Sequence, residues 1–371
     1  MQENKNFCPA PWTSLYFDST GVVDNCCVAQ NRIGNFNTDP IQKIIFSDKN
    51  KQIKQDMLDD KSVPGCKSCA NKSHSLQTIM LEMMPGIDNP VYTGVDNFEL
   101  GYLDARWSNT CNLACAYCSP GYSSQWASEL GIEIKSDRGT KDKLLEYVLE
   151  QCATVKHIYL AGGEPLLMKE NELLIDKIKD VNPNCSILVN TNLTQIKNSK
   201  IAKNLLEIKN CRWLVSVESM HDQFEYIRYP AVWSEFVDNL TYLKQHAPIH
   251  SVAFNMVLTA LNGLEIWDTV DWLESQGFLL QHMSVTLYNS GAHNGPFNLM
   301  HLPKQHRDNI VDRMCSDSKY KQMAGWNDSY KFLTEGSTTD SAHELWKYLE
   351  QLDQRRGLDS KKTFSNIYQY K

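Results

Sequence analysis

The chain has 371 residues, 42% of them hydrophobic, which suffices for an unaided core and fits two domains or one large α/β barrel. Its formal charge is −7, from 37 Lys+Arg against 44 Asp+Glu, and 22% of its residues are charged, which argues against a nucleic-acid partner and excludes a wholly disordered chain. Twelve cysteines are too few for a small disulfide scaffold and many for an ordinary reduced enzyme, so their spacing carries the question.

Met1 to Asn6 is polar and no long apolar stretch follows, so no secretory signal is expected. No window nears the ~20 apolar residues of a membrane span. A reduced cytoplasm is the expectation, where clustered cysteines favour metal or redox chemistry. Leu15 to Val23 reads as a hairpin turning near Asp18 to Gly21. Asp39-Pro40 opens a helical stretch with Ile41, Ile44, Ile45, Ile53, Met57 and Leu58 at helical spacing. Pro64-Gly65 is a turn that presents Cys66, and two prolines and two glycines between Met83 and Gly94 read as a linker.

From Phe98 onward strands and helices alternate. The expected strands are 98–107, 157–160, 186–190, 213–217, 252–258 and 283–288, with helices over 140–152, 170–180, 198–208, 231–246 and 264–276. Six strands joined by crossover helices imply a parallel α/β sheet, for which a doubly wound sheet and a partial barrel both fit. The domains expected are 1–90, 91–300 and a helical extension over 301–371 packed on the second.

Cys111, Cys115 and Cys118 form C-x3-C-x2-C at the C-terminal end of the first parallel strand, where such sheets place their active sites. Three thiolates on a tight loop hold three irons of a cubane cluster and leave the fourth open. A structural zinc site usually takes four ligands with C-x2-C pairs. With Tyr117 before the last cysteine, this loop resembles that of the radical S-adenosylmethionine (SAM) superfamily. The resemblance implies a partial (β/α)6 TIM-type barrel, a 4Fe–4S cluster on Cys111, Cys115 and Cys118, and SAM chelated by the open iron. It also implies reductive SAM cleavage and hydrogen-atom abstraction from substrate. Gly162-Gly163-Glu164-Pro165 follows in family order and implies a contact to the SAM amino group. Tyr117 is implied to pack on the adenine, and Arg228 to pair with the SAM carboxylate. Asn190, Ser216, Glu218 and Asn262 complete the implied SAM-binding set, with Glu218 standing where family members often carry Asp.

Cys8, then Gly21, then Cys26, followed at a distance by Cys66-x2-Cys69, supplies four more thiols. Four thiolates saturate a cluster, and the other reading is a zinc site made of two split pairs. The spacing resembles the auxiliary iron–sulfur modules called twitch and SPASM, as do Pro9, Pro11, Trp12 and Asn31 to Asn35. It implies one auxiliary 4Fe–4S cluster on Cys8, Cys26, Cys66 and Cys69, in a small N-terminal α+β domain. In familiar members this module follows the barrel; here it precedes it. Cys27 adjoins Cys26, and in an extended segment only one of two neighbours reaches the cluster, with the G-x4-C count favouring Cys26.

Cys152, Cys185, Cys211 and Cys315 match no ligand spacing and are expected to be buried or half-buried thiols. Tyr288, at the end of the last strand, and His293, in the loop after it, are the substrate-contact candidates. No nucleophile–His–acid set supports a hydrolase. The resemblance, with its auxiliary-cluster module, implies a 4Fe–4S-dependent oxidoreductase that performs a net oxidation of a peptide side chain or small polyol-like molecule. The expected partners are that substrate and an external one-electron donor such as flavodoxin or ferredoxin, with no membrane. A redox-neutral rearrangement with a structural N-terminal cluster is the alternative. A non-catalytic iron–sulfur or zinc protein is the more distant one.

Overall fold

The computed structural model describes residues 5–67, 69, 76–84, 89–134, 138–288, 295–337 and 342–371. The chain divides into two compact units. The first comprises Met1–Asn112, Pro120–Asn190 and Asn198–Cys211, and the second comprises Leu113–Ser119, Thr191–Lys197 and Arg212–Lys371.

In the first unit, β1 (Ser14–Phe17) and β2 (Val22–Asp24) form the antiparallel hairpin, pairing Phe17 with Val23. Asp18 closes its turn by accepting from the backbone N–H of Thr20 and Val22. β3 (Gly34–Asn35) pairs with β2. The hairpin does not stand apart from the parallel strands. β1 lies parallel to β4 (Tyr102–Ala105), with Tyr16 opposite Asp104, so the N-terminal strands prolong the same sheet. β5 (His157–Leu160) and β6 (Ser186–Thr191) continue it, all parallel, in the order β3-β2-β1-β4-β5-β6. In the second unit, β7 (Cys211–Ser216), β8 (Val252–Leu258) and β9 (Met283–Leu287) lie side by side and parallel.

Within each unit the parallel strands run in chain order, β4-β5-β6 in the first and β7-β8-β9 in the second, without the reversal of a doubly wound sheet, as a partial (β/α)6 barrel requires. These strands seal one face and leave the other half-open. Here Val252, Phe254, Met256 and Leu258 of β8 are sealed, while Ala253, Asn255 and Val257 between them are half-buried. β6 alternates likewise, with Ile187 and Val189 sealed and Asn190 on the half-open face.

The expected first strand, 98–107, is observed only over Tyr102–Ala105. Gly101 donates to the Thr13 carbonyl and its own carbonyl accepts from Lys156 and His157. The expected helical stretch after Pro40 is two helices, Ile41–Ile45 and Asp48–Leu58, broken at Phe46 and restarted by the Ser47 hydroxyl, which caps Asn50 N–H. The C-terminal region forms helices Lys304–Cys315, Trp326–Glu335 and Ala342–Arg356. Cys315, expected to be at least half-buried, is exposed at the end of its helix, whereas Cys152, Cys185 and Cys211 are buried. Among the described residues no helix is long and apolar enough to cross a membrane.

Candidate functional site

In the first unit, Cys8, Cys26, Cys66 and Cys69 line one cavity of about 60 Å³, together with Ala10, Pro11, Val63 and Met80. None is in a disulfide. Burial pushes the Cys8 thiol up to about 12, with the neighbouring Cys66 and Cys69 adding to the rise. Burial also raises Cys26 well above the ordinary thiol range, reinforced by Cys27 and Cys8. These thiols ionise only against a strong cationic centre. The Asn31 side-chain amide donates to the Cys66 sulfur at 3.5 Å. Gly65 permits this, since a Cβ there would meet the Asn31 side-chain oxygen at 2.0 Å. Four free thiols around one cavity, one with an amide donor on its sulfur, are a donor set that fits a fully ligated iron–sulfur cluster. Among the described residues no three His, Cys, Asp or Glu side chains converge as ligands of a single ion do.

Cys27 faces elsewhere. The pair sits in a bend after β2, not in an extended segment, and Cys27 is not among the cavity-lining residues. Its thiol hydrogen-bonds the Asp104 carboxylate, and burial pushes it up to about 12 with Asp104 adding to the rise. Asp104 is fully buried on β4, and burial raises its carboxyl even though Arg106 opposes the rise. Arg106 grips Asp104 through Nε and Nη2 at 2.9 and 3.1 Å, with its guanidinium 5.0 Å from the Tyr16 ring and 5.9 Å from the Tyr159 ring.

Cys111 lies in the loop after β4, which ends at Ala105. The Ser124 hydroxyl bridges its backbone, accepting from Cys111 N–H at 3.1 Å and donating to Cys111 C=O at 3.0 Å. The Gly162-Gly163-Glu164 segment packs on the stretch just before this cysteine. Glu164 N–H donates to the Thr110 carbonyl at 2.7 Å, and a Cβ on Gly163 would meet that carbonyl oxygen at 2.2 Å. Gly162 has φ +113°, where side chains are strained. The Glu164 carboxylate is buried and accepts from Leu166 N–H at 3.1 Å, capping the following turn. Asn190 donates to the Tyr159 hydroxyl at 3.3 Å.

In the second unit, Cys115, Tyr117 and Cys118 lie on a segment paired with residues 227–229. Ala114 N–H donates to the Tyr229 carbonyl at 2.7 Å and Ala116 N–H to the Ile227 carbonyl at 2.6 Å. Burial raises the Cys118 thiol, with Arg228 opposing the rise. Tyr117, Glu218 and Arg228 form a closed network. Arg228 forks onto Glu218 through Nε and Nη2 at 2.6 and 2.7 Å, Nη2 also donates to the Tyr117 hydroxyl at 2.9 Å, and that hydroxyl donates to Glu218 at 2.8 Å. The ion pair is sealed, its side chains 4% and 1% exposed. Burial alone would lower Arg228, but Glu218 beside it holds the guanidinium charged.

Asn262 is wholly buried and its amide is saturated. It donates to the Glu218 and Val257 carbonyls and accepts from Thr259 N–H and hydroxyl. It therefore fixes the backbone of Glu218. Ser216 is half-buried at the end of β7, and Tyr288 lies just past β9, its ring 6.1 Å from Phe297. His293 lies outside the described residues. The contacts of Tyr348 and Arg356 were not legible as site features in the sequence; both act on the cysteine segment from far along the chain.

Residues 106–273 match the family model described as the radical SAM superfamily, and residues 8–70 match an iron–sulfur cluster-binding domain model, SPASM. The chain is 21% identical over 243 residues to the GTP 3′,8-cyclase of Nautilia profundicola, covering 64% of this chain and 71% of that enzyme. It is 30% identical over 129 residues to the GTP 3′,8-cyclase of Helicobacter pylori, where it spans 34% of this chain and only 38% of the relative. Among solved structures, anSMEcpe with bound AdoMet aligns with a TM-score of 0.44 at 16% identity, over 65% of this chain and 61% of that one. Streptococcus suis SuiB bound to S-adenosylmethionine aligns with a TM-score of 0.42 at 18% identity, over 59% and 48%.

Proposed function

Because this chain is a radical SAM enzyme with a SPASM-like iron–sulfur domain ahead of its barrel, we propose that it performs a net oxidation of a peptide side chain or a small polyol-like molecule. Cys111, Cys115 and Cys118 would hold the SAM-side 4Fe–4S cluster, and Cys8, Cys26, Cys66 and Cys69 a second. When bound, the first supplies the electron that cleaves SAM to a 5′-deoxyadenosyl radical, and the second an acceptor for the electron left on the oxidised substrate.

The protein's own residues bind and orient. Glu218 keeps Arg228 charged and aimed, and both anchor the Tyr117 hydroxyl, so that the ring beside Cys118 is held in one pose. Asn262 holds the Glu218 backbone in register. Gly162 and Gly163 let the backbone lie flat against the lead-in to Cys111. Asn190 and Ser216 add polar groups on the half-open strand faces. Tyr288 and His293 are the proposed substrate contacts. An external flavodoxin- or ferredoxin-type donor and a cytoplasmic setting complete the reading.

What supports oxidation is the cavity lined by four free thiols in addition to the C-x3-C-x2-C loop. Anaerobically reconstituted protein should carry about eight irons, as two four-iron clusters. It should form 5′-deoxyadenosine from SAM only with reductant, and joint replacement of Cys111, Cys115 and Cys118 by Ala should abolish this. About four irons plus zinc would sink the two-cluster reading.

The names of the curated relatives favour a second reading, redox-neutral cyclisation of a nucleotide with a structural N-terminal cluster. GTP is the discriminating probe. Its conversion to an isomeric product of unchanged mass, with SAM consumed, would establish the second reading over the first.

A further inference from the structure

Cys115 lies between two buried alanines, and the backbone of both is fully engaged. The Ala114 and Ala116 N–H groups are taken by residues 229 and 227. Their carbonyls are taken by the Ala342–Arg356 helix. Arg356 Nη2 donates to Ala114 C=O at 2.9 Å, and the Tyr348 hydroxyl donates to Ala116 C=O at 3.5 Å. Buried carbonyls have no solvent alternative, so these donors fix the segment. The Arg356 guanidinium also lies 4.7 Å from the Tyr229 ring, on the residue whose own carbonyl holds Ala114.

The helix is itself anchored. Leu345, Leu349 and Leu352 are sealed in the core, and Asp353 accepts from the Tyr226 hydroxyl at 2.9 Å and from Ser360 N–H and hydroxyl. Tyr348 and Arg356 sit two turns apart on one helix face, so one rigid element grips both sides of Cys115.

We propose that Arg356 and Tyr348 are positioning residues of the cluster loop, which makes the C-terminal helix part of the cofactor machinery. The inference rests on Cys115 and Cys118 being cluster ligands, as proposed above. Net charge and hydrogen bonds around a cluster set its reduction potential, and groups behind the ligands orient them. Arg356 brings a permanent cation to the Cys115 segment and so favours the more negative, reduced form.

The test uses full-length R356Q, R356K and Y348F with two readouts. In protein without clusters, alkylation of Cys115 by iodoacetamide, mapped by mass spectrometry, should be several-fold faster in R356Q and Y348F than in the parent, with buried Cys211 unchanged as the folding control. In reconstituted protein, an EPR-monitored redox titration should place the SAM-side cluster of R356Q at a more negative potential, with R356K restoring most of the shift. Should R356Q fail to fold, Y348F removes only a hydroxyl, so the alkylation readout still judges the clamp. Parental alkylation and parental potential in R356Q and Y348F would overturn the proposal. If the parent binds no iron once Cys8, Cys26, Cys66 and Cys69 are replaced, the cluster assignment fails instead, while alkylation still judges the clamp.

Discussion

Cys26 and Cys27 are neighbours in different surroundings, one lining the four-thiol cavity and the other bonded to Asp104 on β4. Replacing Cys27 by Ala should leave iron content at the parental value, whereas Cys26→Ala should cost one cluster. Iron and sulfide analysis after reconstitution checks both. The Glu218–Arg228 pair makes a sharper energetic claim. Breaking a buried pair leaves an uncompensated charge, at a cost of about 3–5 kcal/mol, whereas replacing both partners by apolar residues costs far less. Glu218→Leu alone should therefore destabilise the chain more than Glu218→Leu with Arg228→Met, as read by chemical denaturation. Lys54 gives a pH signature. It is fully buried, donates to the Val95 and Asn97 carbonyls, and burial lowers its amine from 10.5 to about 8. Between pH 8 and 10.5 the unfolded chain binds the extra proton, so stability from this group rises with pH across that window. Lys54→Met should flatten the rise, and equal slopes in the two proteins would refute it.

At the scale of elements, the glycine pair after β5 and the cysteine lead-in after β4 act as one. Gly163→Ala pushes a methyl against the Thr110 carbonyl, immediately before Cys111. The expected result is loss of the SAM-side EPR signal with the secondary structure by circular dichroism unchanged. Much at this scale was legible in the sequence. The hairpin, the crossover helices and the strand ends carrying Cys111, Gly163 and Glu218 all follow from local periodicity and spacing. The break at Phe46 was not, because the apolar spacing continues through it and only the Ser47 cap marks the restart. The grip of Arg356 on Ala114 was not either. No local pattern encodes a contact made 242 positions along the chain.

For the whole molecule, the sequence separates a cysteine-rich N-terminal region from a barrel, yet β1 is hydrogen-bonded to β4 along its length. Composition reveals a change of pattern near residue 90; it does not reveal that a strand before the change pairs with one after it. A chain starting at residue 91 would bare the edge of β4, and unpaired edges recruit other chains. Such a fragment should elute as aggregate in size-exclusion chromatography, and a stable monomer would contradict the continuity of the sheet.

The β1–β4 pairing also imposes an order on biogenesis. As the chain leaves the ribosome, Cys8, Cys26, Cys66 and Cys69 emerge while β1 still waits for a strand that begins only at Tyr102. Non-local pairs close late, because the intervening chain must be ordered first. The N-terminal thiols therefore spend part of synthesis without the sheet that supports them, and loading of the cluster proposed for this cavity would follow translation of β4.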